Sequence, residues 1–269
     1  MFPLLLEIPI LGGIRIYTYG VLVATAFMMG ILWTIHETRQ LPLGQKNTIK
    51  PEQVTDLAFY IILAALIGSR ILYVLVDWNR YVSHPLDIFK IWEGGLVFYG
   101  GLIGAIFVSL YYLRKHHLGF LKVADLFMPG VALGHAIGRL GCLASGCCYG
   151  RVTHSAFSIL FPQSRFTLAP PGIPLFPSQP LESAVELGIF FLLILIRKGK
   201  KFDGQVFLVY LILYSISRSI LEIFRGDSVR GFIIPDRFST SQLISAILVF
   251  IAIILYAHLR KKTKQEKAS

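Results

Sequence analysis

The chain has 269 residues, 55% of them hydrophobic and 15% charged, with a formal net charge of +11 and a mean hydropathy of +0.65. Soluble domains carry about 25% charged residues, so the composition excludes an ordinary water-soluble globule and points to a bilayer. The positive balance does not require nucleic acid, because the basic residues are sorted along the chain instead of gathered in one patch.

Residues 1–16 are apolar but have no basic start and no clear small-residue cleavage site, so they are not read as a cleaved signal. Phe2, Leu4, Leu5, Leu6 and Ile8 suit an amphipathic segment lying in the membrane interface. A helical span needs about 20 apolar residues. Seven such stretches are predicted, at 17–36, 54–76, 95–113, 123–141, 181–196, 205–224 and 241–259. Helices are expected because lipid offers no partners to exposed backbone groups. The alternating ten-residue strands of a barrel are not seen. The fold class is therefore all-α, a polytopic membrane protein of about seven spans, read as a single membrane domain over 1–269.

The connections orient it. Fifteen Lys and Arg fall in 36–53 (Arg39, Lys46, Lys50), 114–122, 197–204 and the basic tail at 260–269, which includes Lys267. Eight, Arg165, Arg230 and Arg237 among them, fall on the opposite side. The positive-inside rule makes the first side cytoplasmic, and the basic tail also suits anionic lipid. The N-terminus and the long 142–180 connection then face outward. Six prolines between Pro162 and Pro180 make that connection either a functional lid or a disordered segment. Trp78, Tyr81 and Trp92 in 77–94 form an interfacial aromatic set. No fixed-period repeat supports a transporter of inverted halves.

Three arginines lie inside apolar stretches: Arg70, Arg139 and Arg218. A charge at membrane depth faces a protein interior or a wet cavity and marks a functional site by default. A guanidinium fork suits phosphate, and lipid headgroups are the commonest anions at that depth. His135 and Arg139 share one helix face at a spacing of four. Gly138 precedes Arg139, and the glycines beyond it, Gly141, Gly146 and Gly150, would let the chain turn and aim amides at a ligand. The alternative is an arginine capping helix carbonyls. Arg218, Glu222 and Arg225 fall on one face at i, i+4 and i+7. They form either a structural ion pair or an anion site with surplus positive charge. Gly100 and Gly104 have the small-xxx-small spacing of close helix packing, with backbone freedom beside a site as the other reading. Cys142, Cys147 and Cys148 match paired zinc spacing poorly. A disulfide, a catalytic thiol and plain packing remain open, and no metal site is expected. Tyr19 and Tyr99 sit near outer span ends, where aromatic belts put tyrosines routinely. Asp125 and Glu182, near span ends, suit solvation or a cation partner better than acid catalysis.

At these residues the chain resembles the bacterial prolipoprotein diacylglyceryl transferases. The likeness runs through Ile16-Tyr17-Thr18-Tyr19-Gly20, Gly68-Ser69-Arg70-Ile71, and the run from Trp92-Glu93-Gly94-Gly95 to Gly104. It continues through Gly138-Arg139-Leu140-Gly141 to Gly150-Arg151, Pro177-Ser178-Gln179, Arg218 with Glu222 and Arg225, and Ser241-Gln242. The resemblance implies transfer of a diacylglyceryl group from phosphatidylglycerol to the lipobox cysteine thiol of a preprolipoprotein signal peptide. Glycerol phosphate would be released, at the outer half of the bacterial inner membrane. It implies no metal and no organic cofactor. The family's phosphatidylglycerol-binding arginine falls on Arg139, its second essential arginine and acidic partner on Arg218 and Glu222, its essential tyrosine on Tyr19, and the closing glycine on Gly150. Arg70, Gly138, Gly141 and Arg225 are expected to contact substrate, and Tyr99 to line the site or assist proton removal. The chain departs from the family pattern at Cys142, where Asn is usual, at Cys147, where Glu is usual, and at Tyr99, where some members have His. A lipid or anion transporter and a non-catalytic lipid-binding chaperone are the competing readings.

Overall fold

The computed structural model describes residues 3–8, 14–41, 49–91, 94–164, 166–226, 232–234 and 238–266. Lys46, Trp92, Glu93, Arg165, Arg230, Arg237 and Lys267 lie outside the described residues. The chain opens with a hairpin, β1 (Leu4–Ile8) antiparallel to β2 (Ile14–Tyr17), then runs into α1 (Thr18–Arg39) and α2 (Pro51–Val76). A short α3 (Trp78–Ser83) and a 3-10 turn (Pro85–Phe89) lead to α4 (Phe98–Lys115) and α5 (Phe120–Ser145). Then come α6 (Ser178–Lys198), α7 (Gln205–Glu222), a second small hairpin of β3 (Phe232–Ile234) and β4 (Phe238–Ser239), and α8 (Thr240–Glu266). Among the described residues, six helices are long and apolar enough to cross a membrane. The remaining long helix, α4, ends on Arg114 and Lys115. The protein is thus an all-α, multi-pass membrane protein, and the apolar N-terminal segment begins as a hairpin.

Two compact units emerge, one of 1–34 with 124–269 and one of 35–123. In the first, Ala132 of α5, Ile189, Phe190 and Leu193 of α6, and Val206 and Tyr210 of α7 form a buried core. Trp33 of α1 meets Phe190 edge-on at 4.8 Å. Gly30 and Gly130 let α1 and α5 approach backbone to backbone: a Cβ on either would meet the carbonyl oxygen of the other. Asp125 ties the far end. Its carboxylate accepts the N–H of Gly204 at 2.7 Å and of Phe207 at 2.9 Å, and pairs with Lys200 at 3.1 Å. It therefore caps the exposed amides that begin α7.

In the second unit, α2 and α4 pack antiparallel through small residues. A Cβ on Gly68 or Gly100 would strike the other's carbonyl, and one on Gly104 would strike that of Ala64. The small-xxx-small spacing here is therefore a packing device.

Candidate functional site

In the first unit, Arg139 lies in the last two turns of α5, and Glu182 in the second turn of α6 faces it. The two form an ion pair, Nε to Oε2, at 2.7 Å. Ser183 donates to the Ala136 carbonyl at 2.7 Å, which fixes the register of α6 on α5 and so holds Glu182 opposite the guanidinium. The Arg139 side chain is 21% exposed and Glu182 5%. Among the described residues Glu182 is the only acceptor for Arg139, through Nε. The two terminal nitrogens of the fork thus have no described protein acceptor. Glu186, one turn further along α6, lies in the field of both Arg139 and Glu182.

The expected turn directly after Arg139 is displaced. Helix α5 continues through Gly141 to Ser145, and the chain turns at Gly146, at φ +71°. Gly141 serves contact instead: a Cβ there would touch Tyr19 at 3.4 Å and Leu22 at 3.5 Å. Tyr19, at the start of α1, therefore lies against the Arg139 turn. Beside Gly138 there is open space, with no heavy atom within 4 Å of where a Cβ would stand.

Along α7, Tyr210, Tyr214, Arg218 and Glu222 recur every four residues on one face. Arg218 pairs with Glu222 at 2.5 Å, an ion contact in place of an aligned hydrogen bond. Glu222 is 3% exposed. Tyr214 lies in the field of both Arg139 and Arg218, and it stacks on Tyr210 with centroids 5.7 Å apart. The Tyr210 hydroxyl is hydrogen-bonded to His135 Nδ1 at 2.8 Å. Arg225 does not continue this face. Helix α7 ends at Glu222, because Ile223, Phe224 and Arg225 each bond three residues back and tighten the chain. Arg225 instead pairs backbone to backbone with Gly150.

That pairing explains Gly150. Arg151 N–H donates to Phe224 O at 2.9 Å, Phe176 N–H to Arg151 O at 2.9 Å, and Gly226 N–H to Tyr149 O at 3.0 Å. Three strands of backbone meet here, and a Cβ on Gly150 would collide with the Phe176 carbonyl. The described part of the Pro-rich connection has its own small core, in which Phe161, Ala169 and Leu175 pack with Leu143, Tyr149 and Ile159. Its start is pinned by α6, where Ser178 donates to Cys148 O at 3.0 Å and Gln179 to Cys147 O at 2.9 Å. The thiols of Cys142, Cys147 and Cys148 are free, with their sulfurs all within 4.8 Å of one another.

In the second unit, Arg70 is 8% exposed. All five of its N–H donors go to carbonyls: Ile88 at 2.8 Å, Gly94 at 2.7 Å, Gly95 at 3.1 Å, Asp87 at 2.6 Å and Lys90 at 3.3 Å. The rings of Tyr73 and Tyr81 flank it at 5.8 Å and 5.5 Å. The expectation that Arg70 grips an anion is therefore corrected, because its fork clasps the 87–95 connection. Hydrogen bonding and charge from Lys90 draw the Asp87 carboxyl below its ordinary range. Tyr99 begins α4, half-exposed and edge-on to Phe98.

Of the residues that the sequence singles out, Arg139, Tyr19, Gly141, Arg218 and Glu222 all belong to the first unit. Sequence reasoning misses Tyr214, Tyr210 and Glu186, and it leaves Glu182 between solvent and a cation. The four-residue spacing up α7 from Glu222 is a signal available for the tyrosines. The arrangement offers two carboxylate-held guanidinium groups with a tyrosine in the field of both, a geometry that suits a tetrahedral anion.

The sequence profile of the family described as prolipoprotein diacylglyceryl transferase matches residues 5–258. The chain is 36% identical over 254 residues to the phosphatidylglycerol–prolipoprotein diacylglyceryl transferase of Clostridioides difficile (strain 630), covering 94% of this chain and 95% of that one. It is 33% identical over 255 residues to phosphatidylglycerol–prolipoprotein diacylglyceryl transferase 2 of Clostridium perfringens (strain 13 / Type A), with 94% and 95% covered. Against the phosphatidylglycerol–prolipoprotein diacylglyceryl transferase of Trichormus variabilis (strain ATCC 29413 / PCC 7937), identity is 32% over 270 residues, with 97% and 91% covered.

Proposed function

The chain belongs to the prolipoprotein diacylglyceryl transferase family, and on that premise we propose that it is the transferase of this reaction. It moves the diacylglyceryl group of phosphatidylglycerol to the lipobox cysteine of a preprolipoprotein signal peptide, the first step of lipoprotein maturation. The observation that carries the reading is the partly buried Arg139, tied to Glu182 through Nε alone, with its terminal nitrogens turned to no described protein acceptor.

The incoming thiol loses its proton, and its sulfur forms a bond to the glyceryl carbon. The bond from that carbon to the phosphate oxygen breaks, and its electron pair leaves on glycerol phosphate. Charge grows on the phosphate as this happens, so fixed cations lower the barrier more than they stabilise the bound lipid. Arg139 and Arg218 hold that phosphate. Glu182 and Glu222 fix the two forks, as an ordered charge costs little reorganisation at the moment of reaction. Tyr19 and the open space beside Gly138 border the arginine on α5. Gly141 and Gly150 act by close packing, and Arg225 closes the Gly150 junction. The role of Tyr99 rests on the family likeness alone. A thiol has an ordinary pKa near 8.5, and neighbouring arginines lower it, so the reaction does not depend on the histidine replaced by Tyr99.

The function is assigned to the chain as a single membrane domain in the bacterial inner membrane. The N-terminus and the 142–180 connection face outward and the 260–269 tail faces the cytoplasm, on the strength of the Lys and Arg distribution. The test uses purified protein, phosphatidylglycerol labelled in its diacylglyceryl part, and a lipobox peptide. Label on the peptide, equal amounts of glycerol phosphate, and no label on a Cys→Ser peptide are expected. Lipid binding without either product would sink the transferase reading in favour of transport or lipid holding.

A further inference from the structure

We propose that Cys142, Cys147 and Cys148 form a binding site for a thiophilic metal ion of low coordination number, with monovalent copper the best fit. The sequence spacing argues against a four-ligand zinc site, but the fold creates a three-sulfur one. The three Sγ atoms lie within 4.8 Å of one another. Sulfurs bound at about 2.3 Å around one central ion stand roughly 4 Å apart, so small side-chain rotations close the set. Soft thiolate ligands select copper(I) and zinc over hard cations.

The backbone holds the thiols in this arrangement at some cost. Cys148 has φ +56°, a left-handed conformation that a non-glycine residue rarely adopts. Such strain persists where surrounding structure enforces it, and it gathers at functional positions. Here the enforcement is visible. Cys147 N–H donates to Cys142 O at 3.1 Å, closing the turn that brings the sulfurs together. Ser178 and Gln179 grip the carbonyls of Cys148 and Cys147. The Ser145 hydroxyl donates to the Cys147 sulfur at 3.2 Å, as an outer group steadies a ligand. Cys142 lies one turn from Arg139 on α5, so an anionic metal–thiolate unit would form beside a cation. Binding exchanges up to three thiol protons for one cation, the protons passing to solvent. Occupancy therefore adds negative charge beside Arg139. If that arginine holds phosphate, a bound ion weakens the lipid's hold; this consequence rests on the function proposed above, and the binding itself does not.

The experiment titrates reduced, detergent-purified protein with copper(I) against a chromophoric copper(I) chelator, and with zinc(II), and counts bound ions. One ion per chain is expected, with affinity falling at least tenfold in C142S, C147S and C148S singly. Should a variant fail to fold, the unaltered protein still reports: bound copper should shield all three cysteines from alkylation, read by intact mass. Equal binding by the triple serine variant, or alkylation unaffected by metal, would overturn the proposal. So would a disulfide among the three that, once reduced, leaves thiols unable to bind the ion. None of these readouts requires transferase activity.

Discussion

Arg70 and Arg139 are both cations set in apolar helices, and the structure uses them in opposite ways. Every donor of Arg70 is met by a carbonyl of the 87–95 connection, so its charge is consumed in holding backbone. Arg139 meets one carboxylate oxygen through one nitrogen. A guanidinium has five donors in a fixed fork. The number that the protein itself satisfies therefore separates a structural arginine from one available to a ligand. An apolar setting alone does not make that distinction, although it is what draws attention to both.

The contrast can be broken most directly at Arg139. Arg139→Ala should lower kcat/KM for diacylglyceryl transfer by about 100- to 1000-fold per folded molecule, the scale for loss of one preorganised donor, and it should also lose some thermal stability because Glu182 is left without its partner. Arg139→Lys should rescue little, since an ammonium lacks the fork. Arg70→Ala should lose stability and spare the chemistry. Stranding buried carbonyls should cost roughly 2–4 kcal/mol of stability, read as a lower thermal midpoint in detergent, with turnover per folded molecule retained. A loss of turnover at unchanged stability in Arg70→Ala would erase the distinction. Glu182→Gln keeps a hydrogen bond but removes the charge that orients Arg139, and about a tenfold fall in kcat is expected, with the Arg139→Ala, Glu182→Gln pair well short of additive. The smallest effect belongs to Tyr99→Phe. With no described hydroxyl partner, initial rates should stay within about threefold, below the usual contribution of a general acid or base.

Much of the fold is legible in the sequence because lipid leaves few options. Apolar length gives the helices, and the structured segments fall on the seven expected stretches to within a few residues at most ends. What is not legible depends on contacts distant in sequence. The glycines of the Arg139 signature read as a turn, but Gly141 lies within α5 with Tyr19 beside it, and the chain turns only at Gly146. Arg225 reads as a continuation of the α7 face, but backbone pairing with Gly150 takes it off the helix. Glu182 lies 43 positions from Arg139, so no local spacing announces their pairing. The cysteines show the same limit: spacing rules judge ligands by sequence interval, whereas here the turn at Gly146 and the clamp from α6 bring the sulfurs together.

The measurement closest to the central claim compares Arg139→Ala and Arg70→Ala side by side, scoring label transfer from phosphatidylglycerol to a lipobox peptide alongside thermal stability. The expected result is an Arg139 variant that is inactive even while folded and a destabilised Arg70 variant that transfers normally while folded. Full transfer by the Arg139 variant would contradict it, since the arginine left open by the protein would then not be the one that holds the departing phosphate.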